Sequence, residues 1–331
     1  MNTPATIVCG VVVSLAAAAG VAWLWSWPAR VIDGGLDYAG LAHDLAPAPI
    51  SHFTARDGSE LAYRAYPADA ARTLAIVLHG SGADSRYLAP MARDLAEQGV
   101  AQVVTPDIRG HGRAPIRRGD VDDVEQPQRD LVDLIEHLRG QWPIDRVVLI
   151  GHSSGGGLAV RMAGGRFADL IDGYVLLAPY LGHAAPTSRA GSGGWAQANV
   201  GRIVLIEILS RFGVDSAAGC KVVRFNIPES HRDEYSTPAY SYRMQQAMAP
   251  RDWRRDLAAI EVPALLLVGA EDESMRPDAY GKVVADPFGV AVEILDGVGH
   301  LGIVRAEPAI ERLARFIRGL AITTEAGSDT P

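Results

Sequence analysis

Residues 146–157 read RVVLIGHSSGGG, and the fold of the whole chain turns on that stretch. Val147 to Ile150 are four consecutive aliphatic side chains, the short apolar run of a strand buried on both faces. The run breaks into Gly151-His152-Ser153-Ser154-Gly155, a G-x-S-x-G pentapeptide, and Gly156 to Val160 continue as a helix. A sharp strand-to-helix turn presses backbone against backbone, which the flanking glycines permit. It also lifts the central hydroxyl above the carboxyl edge of the sheet, at a helix N-terminus where developing negative charge is favoured. Ser153 is the expected nucleophile. The competing reading is a glycine-rich turn that only needs tight packing, and Ser154, one position off the apex, is the rival hydroxyl.

Outward from this turn the same alternation repeats. TLAIVLHG (73–80), AQVVTPD (101–107), GYVLLAPY (173–180), ALLLVGAED (264–272) and AVEILDG (291–297) are apolar runs, most of them separated by helical segments. Continuous Val/Ile/Leu strands alternating with helices predict an α/β fold with a parallel sheet covered on both faces. Upstream, SHFTA and ELAYRAY flank Arg56-Asp57-Gly58 and predict a hairpin. Downstream, PAIERLARFIRGL is a closing amphipathic helix. Residues 181–262 are too long for a plain connection and predict a cap over the site or an insertion with another role.

A serine hydroxyl needs a base, and the base needs an orienting carboxylate. His79, His111 and His152 sit in HG, GHG and GHS turns that suit backbone bonding. His300 follows a strand through Asp296-Gly297-Val298-Gly299, on a turn beyond the strand's end, and is the expected base. The chain order nucleophile, acid, base then asks for a carboxylate at the end of the preceding strand. Asp272 supplies it, with Glu271 and Glu273 as rivals. Two backbone amides should receive the oxyanion. Ser154, after the nucleophile, and Ser81, in the His79-Gly80-Ser81-Gly82 loop, are the candidates. Such a mechanism needs no metal and no organic cofactor.

Composition narrows the setting. The 331 residues carry 31 basic and 39 acidic side chains, a formal net charge of −8, which argues against a nucleic-acid partner. Two cysteines, Cys9 and Cys220, exclude a disulfide framework and a Cys-based zinc site. No charged side chain precedes Arg30, and Trp23, Trp25 and Trp27 cluster at the end of that stretch. About 20 apolar residues span a bilayer. Residues 1–29 are therefore expected to be a membrane anchor held by interfacial tryptophans, with a cleaved signal peptide and a buried core helix as alternatives. Residues 30–49 read as a linker, 50–320 as the catalytic domain and 321–331 as a flexible tail.

The motifs HGSGADSRY, PDIRGHG (106–112), Gln128-Arg129-Asp130-Leu131, GHSSGG and GVGH, in that order, resemble the α/β-hydrolase superfamily. More narrowly they resemble the serine aminopeptidase S33-like hydrolases, which include monoacylglycerol lipases and lysophospholipases. The resemblance covers roughly residues 52–319. It implies an eight-stranded, mostly parallel sheet, a Ser153–Asp272–His300 triad and a cap after the sixth strand. Ser154, where lipase-like members commonly have Met, and Ala114, where the RGHG loop often continues to Ser, depart from the pattern. The expected activity is hydrolysis of a small-molecule or lipid ester through an acyl-enzyme, near a membrane. The segment NVGRIVLIEILSRF offers an apolar face for an acyl tunnel, or plain cap core. Amide cleavage of the proline iminopeptidase type stays open, with Glu207, Asp215, Glu229, Asp233 and Glu234 available to bind an amino terminus. A catalytically silent binding module is the third reading. Asp-nucleophile chemistry is disfavoured by Ser153.

Overall fold

Eight strands assemble into one sheet in the order β1-β2-β4-β3-β5-β6-β10-β11 in the computed structural model, which describes residues 20–22, 26–27, 35–41 and 46–325. The strands are β1 (Ile50–Thr54), β2 (Glu60–Tyr66), β3 (Thr73–Leu78), β4 (Gln102–Pro106), β5 (Arg146–His152), β6 (Gly173–Leu177), β10 (Ala264–Gly269) and β11 (Ala291–Leu295). Only β2 runs antiparallel to its neighbours; every pair from β4 to β11 is parallel. The hairpin at Asp57-Gly58 pairs Thr54 with Glu60.

The two-residue period of β3 divides the core. Leu74, Ile76 and Leu78 pack on one face with α2 (Gln126–Arg139) and α3 (Ser154–Ala163). Ala75 and Val77 pack on the other with α1 (Ala89–Glu97) and α7 (Glu307–Glu325). Burial of each Leu or Ile side chain contributes about 1.5–3 kcal/mol. The fully buried central strands β3, β5 and β6 thus form a rigid floor for the loops at their carboxyl ends. Helix α7 continues past Leu320 to Glu325, and the rest of the expected tail, 326–331, lies outside the described residues.

The RGHG and QRDL motifs meet in space. Arg109 donates through Nε and Nη2 to Asp130 at 2.8 Å each, and the pair is buried. Arg109 also reaches Asp57 of the hairpin. The motifs therefore fasten the loop after β4 to α2 and to the sheet edge.

Between β6 and β10 the chain makes a long excursion. It contains α4 (Val200–Arg211), α5 (Tyr242–Ala247), α6 (Trp253–Ala258) and an antiparallel sheet of β7 (Ala196–Ala198), β8 (Lys221–Phe225) and β9 (Ala239–Ser241). The strands were not anticipated, because pieces of three to five residues carry too little period to read. Helix α4 follows the plain-core alternative rather than the acyl-tunnel one: Ile206 is buried and Ile203 packs against the same cluster. Val200, Val204, Ile208 and Phe212, four residues apart, are exposed on its outer side, and no α4 side chain borders the cavities beside Ser153.

The expected single-pass membrane anchor is corrected. Among the described residues no helix is long and apolar enough to cross a membrane. Most of residues 1–29 lies outside the described residues, and its last described part packs on protein. Asn199 Nδ2 donates to the Ser26 carbonyl at 2.6 Å, and the Trp27 ring lies 5.1 Å from both the Arg202 and Arg224 guanidinium carbons. An indole expected at lipid headgroup depth instead takes part in cation–π contacts with these two arginines.

Replacing Arg109 with Met leaves the Asp130 carboxylate buried without its partner and should cost about 3–5 kcal/mol in urea unfolding. The exposed Arg72–Asp145 pair provides the contrast: Arg72→Met should change stability far less. Equal losses would contradict the role assigned to the buried pair.

Candidate active site

The β5–α3 turn holds Ser153 at φ 54°, ψ −119°, one of three non-glycine residues with positive φ among the described residues. Such a conformation costs on the order of 1–3 kcal/mol and persists only where the surroundings enforce it. The enforcement is visible. Ser153 N donates to the Leu177 carbonyl at 2.9 Å, while its own carbonyl accepts from Gly157 N at 3.0 Å and Tyr180 N at 2.9 Å. A Cβ on Gly155 would lie 2.6 Å from the carbonyl oxygens of Leu78 and His79, so only glycine lets α3 approach β3 this closely.

The hydroxyl so presented meets a histidine. Ser153 Oγ donates to His300 Nε2 at 3.0 Å, and His300 Nδ1 donates to Asp272 Oδ2 at 2.7 Å. All three residues are buried, Ser153 the least so at 7%, and both Ser153 and His300 border a cavity. The other Asp272 oxygen accepts from the amides of Ser274 (2.9 Å) and Met275 (2.6 Å), which fix the carboxylate. Burial pushes the Asp272 carboxyl up, but the His300 imidazole and these amides outweigh it and leave its pKa below the ordinary carboxylate value. Of the rival acids, Glu271 is exposed. Glu273 accepts from the His300 backbone amide at 2.8 Å rather than from its ring.

Ser81 and Ser154, the expected oxyanion donors, both border a cavity with Ser153. Neither amide has an acceptor among the described residues. Ser154 stands at the first position of α3, where helix geometry leaves the N–H unpaired.

Beneath the site lies a support that the motifs did not reveal. Tyr87 Oη accepts from Gly80 N and donates to His152 Nδ1, both at 2.7 Å, and His152 Nε2 donates to the His300 carbonyl at 3.0 Å. Burial, with His300 alongside, lowers His152 to about 3, so the ring is neutral at neutral pH and can accept and donate in this way. One chain of bonds therefore ties the Ser81 loop, the turn and the His300 loop together. His79 and His111 bond backbone: His79 Nε2 accepts from Ile108 N at 3.1 Å, and His111 Nδ1 meets the Ile108 carbonyl at 3.0 Å. His111 Nε2 also reaches Tyr240 Oη at 2.7 Å, a bond from the floor to β9.

Two cavities flank Ser153. One of about 290 Å³ is bordered by Tyr180, Trp195, Phe225, Met248 and Met275. The other, about 70 Å³, is bordered by His300, Leu301, Trp195, Ile227 and the 36–41 segment. Trp195, stacked on Phe225 at 5.4 Å, stands between them.

With a buried Asp–His–Ser relay at a G-x-S-x-G turn in place, comparison with known proteins decides the family. Residues 69–300 match the family described as serine aminopeptidase, S33. The chain belongs to this family. Its fold is the α/β-hydrolase fold. An uncharacterized protein of Mycobacterium tuberculosis (strain ATCC 25618 / H37Rv) is 25% identical over 295 residues, 83% of this chain and 80% of that one. Protein phosphatase methylesterase 1 of Bos taurus is 25% identical over 146 residues, 42% of this chain and 38% of the relative, so the match spans less than half of that enzyme. Among solved structures, Paleococcus ferrophilus monoacylglycerol lipase has 22% identity and a TM-score of 0.59, covering 79% of this chain and 98% of that one. That likeness is one of fold.

The depressed Asp272 carboxyl has a consequence for stability. Its stabilisation is complete above the unfolded value, near pH 3.9, and is lost as pH falls through the lower folded value. The stability gap between the native chain and Asp272→Asn should therefore be widest above about pH 4 and narrow in more acidic buffer. Urea unfolding at several pH values checks this; a gap independent of pH would contradict it.

Proposed function

We propose that this chain is a carboxylic ester hydrolase working through an acyl-enzyme on Ser153. The observation that carries the proposal is the unbroken relay from Asp272 through His300 to Ser153, opening onto an apolar cavity of about 290 Å³.

Ser153 Oγ attacks the ester carbonyl as His300 Nε2 takes its proton. Asp272 holds the imidazole in the tautomer with Nδ1 protonated and stabilises the imidazolium. The Ser81 and Ser154 amides receive the oxyanion, each worth about 3 kcal/mol of barrier. His300 then delivers the proton to the departing alcohol. Water, activated by the same imidazole, hydrolyses the acyl-enzyme.

This proton transfer assigns the two cavities. The leaving oxygen must lie within reach of His300, so the alcohol belongs to the small cavity that His300 borders. The acyl chain then belongs to the larger one, whose wall of Tyr180, Phe225, Met248 and Met275 suits a hydrocarbon.

Amino-terminal peptide cleavage would need a free carboxylate facing an ammonium group. Of Glu207, Asp215, Glu229, Asp233 and Glu234, only Asp233 borders either cavity, and it accepts from Arg86 at 2.8 Å. Asp84, the other acid there, also pairs with Arg86 at 2.8 Å. Burial would lower the Arg86 guanidinium, but these two carboxylates raise it on balance, so both acids are spent on it. The ester reading is favoured for this reason.

Ser153→Ala should reduce hydrolysis of ethyl butyrate and ethyl octanoate by roughly 10⁴-fold or more, measured by acid release. N-ethylbutyramide should be cleaved far more slowly than ethyl butyrate by the native chain. Retained ester hydrolysis in the variant, or a preference for the amide, would overturn the proposal.

A further inference from the structure

Residues 35–41 fall within the stretch expected to be a linker, yet they are fastened to the site. Gly35 N donates to the Gly193 carbonyl at 3.0 Å, and Asp37 N donates to Glu273 Oε1 at 2.9 Å. The other oxygen of the same carboxylate, Oε2, accepts from His300 N at 2.8 Å. Glu273 thus holds the strap with one oxygen and the loop of the base with the other. Gly193 matters to the arrangement: a Cβ there would lie 1.9 Å from the Glu273 carbonyl, and its φ is +66°. The loop preceding β7 therefore packs directly on the acid loop.

Between these fastenings and the sheet edge, the strap turns an apolar face to the small cavity. Leu36, Tyr38 and Leu41 border it. The Tyr38 ring lies 6.0 Å from that of Trp195 and 4.8 Å from that of His231, wedged against the far wall. The result is an asymmetric cleft, with about 70 Å³ on the His300 side and about 290 Å³ on the other. For scale, a cavity of about 150 Å³ holds benzene. The His300 side of the cleft is smaller than that, and it encloses an alcohol of a few heavy atoms.

We propose that the 35–41 strap, with Tyr38 as its wedge, selects esters of small alcohols, and that Glu273 couples strap docking to the position of His300. The proposal rests on the acyl-enzyme reading above and specifies its substrate class: an apolar acyl group on a short alcohol. Tyr38 is a specificity residue. Glu273 is a positioning residue, acting through the His300 backbone and the strap.

The test compares ethyl butyrate with cyclohexylmethyl butyrate, two unactivated alkyl esters that share an acyl group and differ in alcohol bulk. The native chain should favour the ethyl ester by at least about tenfold in kcat/KM, the scale set by a few methylenes in a hydrophobic pocket. Tyr38→Ala should bring the ratio close to one by accepting the bulky alcohol, a gain that a damaged fold cannot produce. Glu273→Gln keeps only one carbonyl oxygen for two amides. It should shift the ratio in the same direction and also lower kcat for both esters, because His300 loses a support. The double variant should shift the ratio no further than Tyr38→Ala alone. A native ratio near one, an unchanged ratio in Tyr38→Ala, or independent effects of the two substitutions would overturn the proposal. Failure of the native chain to hydrolyse either ester would instead overturn the ester reading on which it rests.

Discussion

Ser153 holds a backbone conformation that an L-residue adopts only under constraint, and the site is organised around keeping it there. The constraint comes from close packing of α3 against β3, possible because residue 155 carries no Cβ within 2.6 Å of the Leu78 and His79 carbonyls. The same approach brings the Gly80–Ser81 turn beside the nucleophile, with a Cβ position on Gly80 only 3.2 Å from Ser153 Cβ. Ser153 and the Gly80–Ser81 loop are therefore placed by one packing event. The strain, on the order of 1–3 kcal/mol, is borne by a core in which β3, β5 and β6 are buried on both faces.

Two adjacent carboxylates after β10 divide the work of positioning His300. Asp272 takes the imidazole, and Glu273 takes the backbone amide of the same residue. Their neighbours extend the connection outward. Arg189 N donates to the Ser274 carbonyl at 3.1 Å and Arg189 Nε to the Met275 carbonyl at 2.7 Å, so the excursion after β6 is fastened to the acid loop. With Tyr87 and His152 below, the histidine is held from two sides by groups that need no charge change during turnover. Pre-organisation of this kind is where such sites obtain their rate.

The sheet was legible because its strands are continuous aliphatic runs that end in glycine or in chemistry-bearing loops, as RVVLIGHSSGGG and ALLLVGAED show. That Ser153, His300 and Asp272 meet in one hydrogen-bonded relay was foreshadowed by their places after strands, since chain order and strand ends constrain them strongly. The role of Glu273 was not, because a carboxylate that bonds two backbone amides far apart in sequence leaves no local pattern. Tyr87 and Trp195 were missed for a related reason: each acts through contacts between loops. The α4 stripe left tunnel wall and plain core open, because apolar residues at helical spacing indicate a face without saying toward what. The uncharged N-terminus misled, since its hydropathy suggested lipid whereas Trp27 packs on two arginines of the excursion.

The central claim is that one hydroxyl, Ser153, is made nucleophilic by the turn and the relay, while its neighbours Ser154 and Ser81 contribute amides only. Reaction of the native full-length chain with a fluorophosphonate, followed by proteolysis and peptide mass mapping, separates these roles. The account predicts a single stoichiometric adduct on Ser153. An adduct on Ser154, on Ser81 or on a serine remote from His300 would contradict it.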